Sequence, residues 1–232
     1  MSIVIAIDGP SGSGKSTVAR GVANQLGLSY LDTGAMYRAA AWWALRCNLD
    51  LDNQPAVTAA VQRMPLEVEL DPRNQRFICD GIDITADIRT SELSKVVSKV
   101  AVNLAVRAEM ARLQREIIAA ECTPEGRSQG AGIVAEGRDI TTVVAPDADV
   151  RVLLTASEEA RLARRAKEVR GSADSAALAA TRDEVLRRDR DDATVSEFMM
   201  AQDGVTTIDS SDLSILQVES AVIELAKEAL NG

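Results

Sequence analysis

A five-residue apolar run, Ile3 to Ile7, leads straight into Gly9-Pro10-Ser11-Gly12-Ser13-Gly14-Lys15-Ser16. The second stretch fits G-x-x-x-x-G-K-[ST], and an apolar strand before it with a helix after it is the setting in which that spacing binds phosphate. Glycine has no Cβ, so such a loop can approach a ligand closely and turn several backbone N–H groups toward one anion. The helix that opens here adds the positive end of its dipole. Lys15 can reach the β- and γ-phosphates, and the Ser16 hydroxyl is placed to hold Mg²⁺. Gly9 to Ser16, with Thr17 as the next hydroxyl just outside the pattern, are the candidate contacts for a nucleoside triphosphate. A glycine-rich turn carrying a solvated lysine is the bland alternative, and the full spacing with both flanks argues against it.

The remaining composition limits the chemistry. There is no histidine in 232 residues, which excludes a histidine base or metal ligand and leaves Asp, Lys, Arg and a bound ion. The formal charge of −9 argues against a broad nucleic-acid surface, because that binding rests on many cationic contacts. The charge is uneven, however: residues 151 to 190 hold ten Lys and Arg against seven Asp and Glu. Cys47, Cys79 and Cys122 are odd in number and lack metal-ligand spacing, so they read as reduced thiols. No apolar run approaches a membrane span, and the first strand begins at Ile3 without a basic leader, so a cytoplasmic protein with no membrane partner is expected.

Along the chain, Val18, Val22 and Leu26 give the first helix its apolar face, and Gly27 stops it. Leu28 to Asp32 reads as a short strand ending in Asp32-Thr33-Gly34-Ala35-Met36-Tyr37-Arg38, a hydroxyl, a phenol and a guanidinium at a strand-to-helix junction. Trp42 and Trp43 follow on a helix and read as core rather than a stacking platform. Residues 62 to 98 change texture: Leu66 to Leu70 alternates, Asp71-Pro72-Arg73-Asn74 turns, Arg76 to Cys79 returns, and a third strand fits near Ile82 to Thr85. A helical pattern from Ser91 to about Ala120, broken near Asn103, presents Ser98 and Arg107, both surface residues on pattern alone. Ile133 to Ala135 is a buried strand that delivers Glu136-Gly137-Arg138-Asp139. After a strand at Val150 to Leu154, Thr155 to Glu158 suggests a capping box. The helix it opens places Arg161, Arg164 and Arg165 on one face, and Gly171 to Ser175 is the tip of a two-helix hairpin whose second arm runs to about 191. Such a hairpin is the outline of a lid over a triphosphate, although a solvated arginine face has the same composition. Val205 to Ile208 is the last strand, and Ser214 to Gln217 caps a terminal packing helix.

A triphosphate cradle, a second polar cluster and an arginine-bearing lid on one sheet edge suggest phosphoryl transfer between two anionic ligands. That reaction needs positioning and charge neutralisation more than a protein nucleophile. The motifs Gly-Pro-Ser-Gly-Ser-Gly-Lys-Ser, Leu31 to Arg38, Asp87-Ile88-Arg89-Thr90, Glu136 to Asp139 with Thr142-Val143-Val144, and Arg188-Asp189 with Asp192 occur in this order. The set resembles the bacterial cytidylate kinases over nearly the whole chain. The resemblance implies an α/β P-loop kinase fold, a central parallel sheet flanked by helices with a small antiparallel insertion and a helical lid. Its parts would be core at 1–38, a monophosphate-binding region at 39–120 with the insertion at about 62–98, core at 121–156, a lid at 157–187 and core at 188–232.

The resemblance implies transfer of the γ-phosphoryl group of ATP–Mg²⁺ to CMP or dCMP by a monomer. Arg38 and Arg138 would hold the acceptor phosphate, with Thr33 and Tyr37 shaping the pocket. Ser98, Arg107 and Asp139 would read cytosine, since a carboxylate accepts from an exocyclic amine and an arginine donates to a carbonyl; Asp139 as a mere partner of Arg138 stays open. Arg188 and Asp192 would contact the ribose, and Lys15, Arg161 and Arg165, with Asp139, form the candidate catalytic set. One departure is plain: family members carry an arginine three positions past the ribose-contacting aspartate, then Pro-Leu, where this chain has Val195 and Phe198-Met199-Met200. Arg190 or a lid arginine is left to replace it. The rival readings are a small P-loop kinase for another nucleotide, shikimate or a sugar acid, and a GTP-hydrolysing switch. The switch lacks support, because neither an Asn-Lys-x-Asp nor an Asp-x-x-Gly segment is present.

Overall fold

The computed structural model describes residues 2–170, 175–196 and 198–231, with the side chains of 168–170, 175–180, 184 and 188 outside that description. Its strands are β1 (Ile3–Asp8), β2 (Ser29–Asp32), β3 (Leu66–Val68), β4 (Phe77–Cys79), β5 (Ile82–Asp83), β6 (Gly132–Gly137), β7 (Val150–Thr155) and β8 (Thr206–Asp209). Five of them pair in the order β2-β6-β1-β7-β8, every neighbour parallel, with β1 in the middle. The helices are α1 (Lys15–Leu26), α2 (Thr33–Arg46), α3 (Gln54–Val61), α4 (Ser91–Ala101), α5 (Leu104–Glu121), α6 (Glu158–Arg170), α7 (Ser175–Ala193) and α8 (Ile215–Asn231). The expected fold class is thus observed.

The unbroken apolar runs of β1 and β6 are explained by burial on both faces. Ile3, Ile5 and Ile7 point to one side, where Val18 and Val22 of α1 and Val218 and Val222 of α8 cover them. Ala6, Ile133 and Ala135 point to the other, against Met36 and Ala39 of α2, Val97 of α4 and Met110 of α5. The parallel register aligns Asp32 with Glu136, Glu136 with Ile7, and Gly137 with Asp8. Three carboxylates therefore reach the same carboxyl edge, the side on which open parallel sheets bind ligands.

The small sheet is antiparallel, in the order β3-β4-β5. Its tight turn is Asp80-Gly81, both at positive φ, the pairing favoured in a two-residue hairpin. β3 ends at Val68, earlier than the alternation suggests; the Glu69 N–H still bonds the Arg76 carbonyl at 2.8 Å, and beyond it the Leu70 carbonyl accepts the Tyr30 N–H at 2.9 Å. Gln75 donates to the Tyr30 carbonyl at 3.1 Å, so this segment covers the outer edge of β2.

Three details differ from the sequence expectation. α3 was not foreseen; it is only two turns long, started by the Asn53 side chain accepting the Ala56 N–H at 3.3 Å, and its apolar repeat is too short to read. Thr155 belongs to β7 and does not cap α6; Ser157 does, accepting the Ala160 N–H at 3.2 Å. The strand at 133–135 extends to Gly137. The break at Asn103 is observed, with its side chain accepting the amides of Ala105 and Val106. The Ser214 and Gln217 box also forms, each side chain taking the other's N–H. Trp43 and Trp42 pack against the core, and Trp43 Nε1 donates to the Ala60 carbonyl at 3.1 Å. The proposed hairpin tip lies at 171–174, outside the described residues.

Candidate active site

The loop between β1 and α1 opens on a cavity of about 840 Å³ at the carboxyl edge. Ser11 to Thr17, Asp32, Arg38, Glu136, Arg138, Arg164 and Arg165 line it. Gly12 sits at φ +78, and a Cβ there would meet the Arg161 carbonyl oxygen at 2.5 Å, so α6 lies directly against the loop. Gly9 and Pro10 are buried beneath the cavity. Lys15 Nζ donates to the Pro10 carbonyl at 3.3 Å, which folds the lysine over its own loop.

Below the lysine, Ser16 donates to Glu136 Oε1 at 2.7 Å and Tyr30 donates to the same oxygen at 3.3 Å. Burial, and Asp32 beside it, push the Glu136 carboxyl above its usual range, while Lys15 pulls the other way. Two neighbouring acids and a hydroxyl next to a phosphate loop are hard oxygen donors in need of positive charge, and they fit Mg²⁺.

Asp32 caps α2 by accepting the Ala35 N–H at 2.7 Å and pairs with Arg38 at 3.1 Å. Thr33 donates to the Glu136 carbonyl at 2.8 Å, and a Cβ on Gly137 would meet that hydroxyl at 2.4 Å, so only glycine lets the two strand ends approach this closely. Arg138 pairs with Asp189 at 2.9 Å and Asp192 at 3.1 Å, and its guanidinium lies 4.2 Å from the Phe198 ring centre. Arg38 Nε, Arg138 Nη1 and Ser13 Oγ are buried and bond to nothing among the described residues. Buried donors without acceptors are rare in folded proteins, and these mark where an oxyanion would sit.

A second, narrower cavity adjoins through Arg138 and Gly137 and is lined by Thr33, Tyr37, Arg107, Asp139 and Asp192. Arg107, expected on the surface, is turned inward and ion-paired with Asp139. Burial raises the Asp139 carboxyl despite the Arg107 guanidinium, and raises the Tyr37 phenol well above its normal range. Val97 and Ala101 of α4 line this cavity, whereas Ser98 between them is half-buried and does not. Arg188 lies on α7, with its side chain outside the described residues.

The arginines of α6 divide their work. Arg161 is buried and donates to the Ser11 carbonyl at 3.0 Å and to Asp189 at 2.5 Å; Asp189 in turn accepts the Ser11 N–H at 3.0 Å. Arg164 donates to the Ser210 carbonyl at 2.6 Å and hydroxyl at 2.9 Å, while Arg165 lines the cavity. One turn of π-helix, Ile140–Val144, follows Asp139. Asp8 holds it by accepting the N–H groups of Ile140 and Thr141 at 2.9 and 2.8 Å and the Thr141 hydroxyl at 2.7 Å. Burial raises the Asp8 carboxyl to about 6.

Sequence reasoning singled out neither Asp8 nor a role for Glu136, Arg164 or Asp189. For Glu136 a signal existed, an acid ending the strand beside the phosphate-loop strand. For Asp8 none did, its Thr141 partner lying 133 positions away; Asp189 stood in the Arg188-Asp189 motif, but nothing local pointed to its bond with Ser11, 178 positions away.

The family model for cytidylate kinase matches residues 5–228. The chain belongs to the cytidylate kinase family. It is 46% identical over 229 residues to a cytidylate kinase of Cutibacterium acnes, covering 98% of this chain and 97% of that one. A Streptomyces coelicolor cytidylate kinase is 43% identical over all of this chain and 95% of its own. One from Mycobacterium leprae is 41% identical, with 97% and 96% covered.

Proposed function

We propose that the chain transfers the γ-phosphoryl group of ATP to CMP or dCMP, giving ADP and CDP or dCDP. The observation that carries this is one carboxyl edge on which a phosphate loop shares its cavity with Arg38 and Arg138, each keeping an unmade buried donor. The loop amides and Lys15 would hold the β- and γ-phosphates. Ser16, with Glu136 and Asp32 behind it, would hold Mg²⁺, which supplies charge neutralisation across the triphosphate when bound. Arg38 and Arg138 would take the acceptor phosphate, exchanging their carboxylates for phosphate oxygens. Arg107 and Asp139 would read the carbonyl and amine of cytosine beside Tyr37 and Thr33, and Asp192 the ribose. Ser98 would act from behind the pocket wall rather than in it, and Arg188 is retained from the family resemblance alone.

Arg161 sits behind the loop at Ser11 and would steady the donor end, with Arg165 reaching into the cavity. The acceptor is itself a phosphate with little need of a base, which agrees with the absence of histidine. The segment at 157–187 would serve as lid, 39–120 as the acceptor-binding part, and 1–38, 121–156 and 188–232 as core. No described helix is long and apolar enough to cross a membrane. We further place the activity in the cytoplasm, in a monomer that binds no nucleic acid, a reading supported by the charge of −9.

The test is ADP release with CMP, dCMP, UMP, AMP and shikimate as acceptors. Turnover with CMP and dCMP well above the others is expected. Absence of a CMP response, or an equal response to AMP or shikimate, overturns the assignment.

A further inference from the structure

The motif Asp87 to Thr90 has no role in the reading above, yet it lies on the cavity wall. Arg89 and Ser94 line the same 840 Å³ space as the phosphate loop, Arg38 and Arg138. The turn that carries Arg89, Asp87–Arg89, is firmly seated. Ile88 is fully buried in the core that also holds Met36 and Ala39 of α2, and its N–H bonds the Ile84 carbonyl at 3.0 Å. Thr90 donates to the Asp87 carbonyl at 3.0 Å and caps α4, while Ser94 donates back to the Thr90 carbonyl at 2.9 Å. A backbone fixed on both sides presents one long side chain to the cavity, and Arg89 is exposed.

The other cations of the acceptor half are already matched by acids. Arg38 has Asp32, Arg138 has Asp189 and Asp192, and Arg107 has Asp139. The Arg89 N–H bonds the Ala86 carbonyl at 3.1 Å, but its guanidinium has no ion pair or hydrogen bond among the described residues. A phosphate monoester near neutral pH carries close to two negative charges, and it must lie beside a triphosphate for transfer to occur. Guanidiniums whose charge is already balanced by carboxylates offset little of that repulsion; an unbalanced one contributes its whole positive charge against it. Its planar fork also fits two phosphate oxygens at once.

We infer that Arg89 is a phosphate ligand of the acceptor half, supplied by the 39–120 part of the chain and so joined to the region that packs around the acceptor. It acts by binding and neutralising charge, with no proton transfer. The inference rests on the CMP kinase reading, and wild-type turnover of CMP checks that reading first and separately.

The experiment compares wild type, Arg89→Ala, Arg89→Lys and the control Arg76→Ala, an exposed arginine on β4's hairpin paired with Asp83 and Glu69. Initial rates are measured with varied CMP at saturating ATP–Mg²⁺, and ATP binding by calorimetry. Arg89→Ala should lower kcat/KM for CMP at least tenfold, Arg89→Lys should recover part of the loss, and Arg76→Ala should match wild type. ATP affinity and melting temperature should stay within twofold and about two degrees, since an exposed side chain contributes little to folding. A kcat/KM for CMP within twofold of wild type in Arg89→Ala overturns the inference. An equal loss of ATP affinity overturns it too, because Arg89 would then serve the donor. If wild type turns over no CMP, the parent reading fails before the Arg89 comparison begins.

Discussion

Asp189 is the residue whose loss should be felt most. Its carboxylate, 8% exposed, accepts the Ser11 N–H at 3.0 Å, binds Arg138 at 2.9 Å and binds Arg161 at 2.5 Å. Asp189→Asn keeps the volume and an acceptor for Ser11 but removes the charge. Arg138 retains Asp192 at 3.1 Å, whereas Arg161, 7% exposed at its side chain, keeps only the Ser11 carbonyl at 3.0 Å. Removing one member of a buried ion pair costs about 3–5 kcal/mol, and the surviving Asp192 contact favours the lower figure. For a chain of this length each kcal/mol moves the melting temperature by roughly 2–4 °C, so a fall of roughly 6–12 °C is expected. Urea unfolding followed by circular dichroism gives the free energy directly. A loss below about 1 kcal/mol, the scale of an exposed pair, refutes the argument.

Lys15→Ala should lower turnover by roughly 10²–10³, as for removal of a donor aimed at developing charge, and near-normal ADP release would contradict the phosphate-loop role. Arg38→Ala should weaken CMP about tenfold or more while ATP binding persists, because a hydrogen bond to a charged group contributes about 1.5–3 kcal/mol; unchanged CMP calorimetry would remove Arg38 from the acceptor site. The Asp8 carboxyl rises from 3.8 to about 6 in the fold, so the native state holds its proton more tightly than the unfolded chain. Relative to Asp8→Asn, wild type should therefore lose up to about 3 kcal/mol of stability as pH climbs from below 4 to above 6. A pH-independent difference in urea midpoint between the two would show that Asp8 titrates normally.

The phosphate loop was legible because its chemistry is local: strand, glycines, lysine and helix follow one another, and each residue's role depends on its neighbours. The same holds for the Asn103 break, where a short polar side chain caps the helix beginning next to it. The acceptor half was read only as far as its motifs. Arg107 looked like a surface residue because helical spacing says nothing about a carboxylate 32 positions away. Ser98 shows the reverse limit: it lies on the helix that walls the pocket, but Val97 and Ala101 take the wall. The clamp at Asp189 was invisible for the same reason as Asp8, since parallel topology brings distant strand ends and helix ends to one edge and no local pattern records it.

Under the proposed assignment of Arg38, Arg138 and Arg107 to the acceptor, their pairing with acids bears on selection. Arg38, Arg138 and Arg107 each spend their charge on a carboxylate within the protein, so a ligand binds by exchange rather than by filling open positive space. Exchange favours a partner that offers more than a carboxylate does. A phosphate monoester has a greater charge and three oxygens, and it can also satisfy Arg38 Nε and Arg138 Nη1, which the carboxylates leave unmade. Cytosine would have the analogous advantage in the narrower pocket, where under the proposed assignment its carbonyl and amine would separate Arg107 from Asp139 and satisfy both. A nucleoside without phosphate, or a phosphate without the right base, meets only one of these two conditions. On this assignment the acids would balance the site's arginines while it is empty and would make occupancy depend on both halves of the acceptor at once.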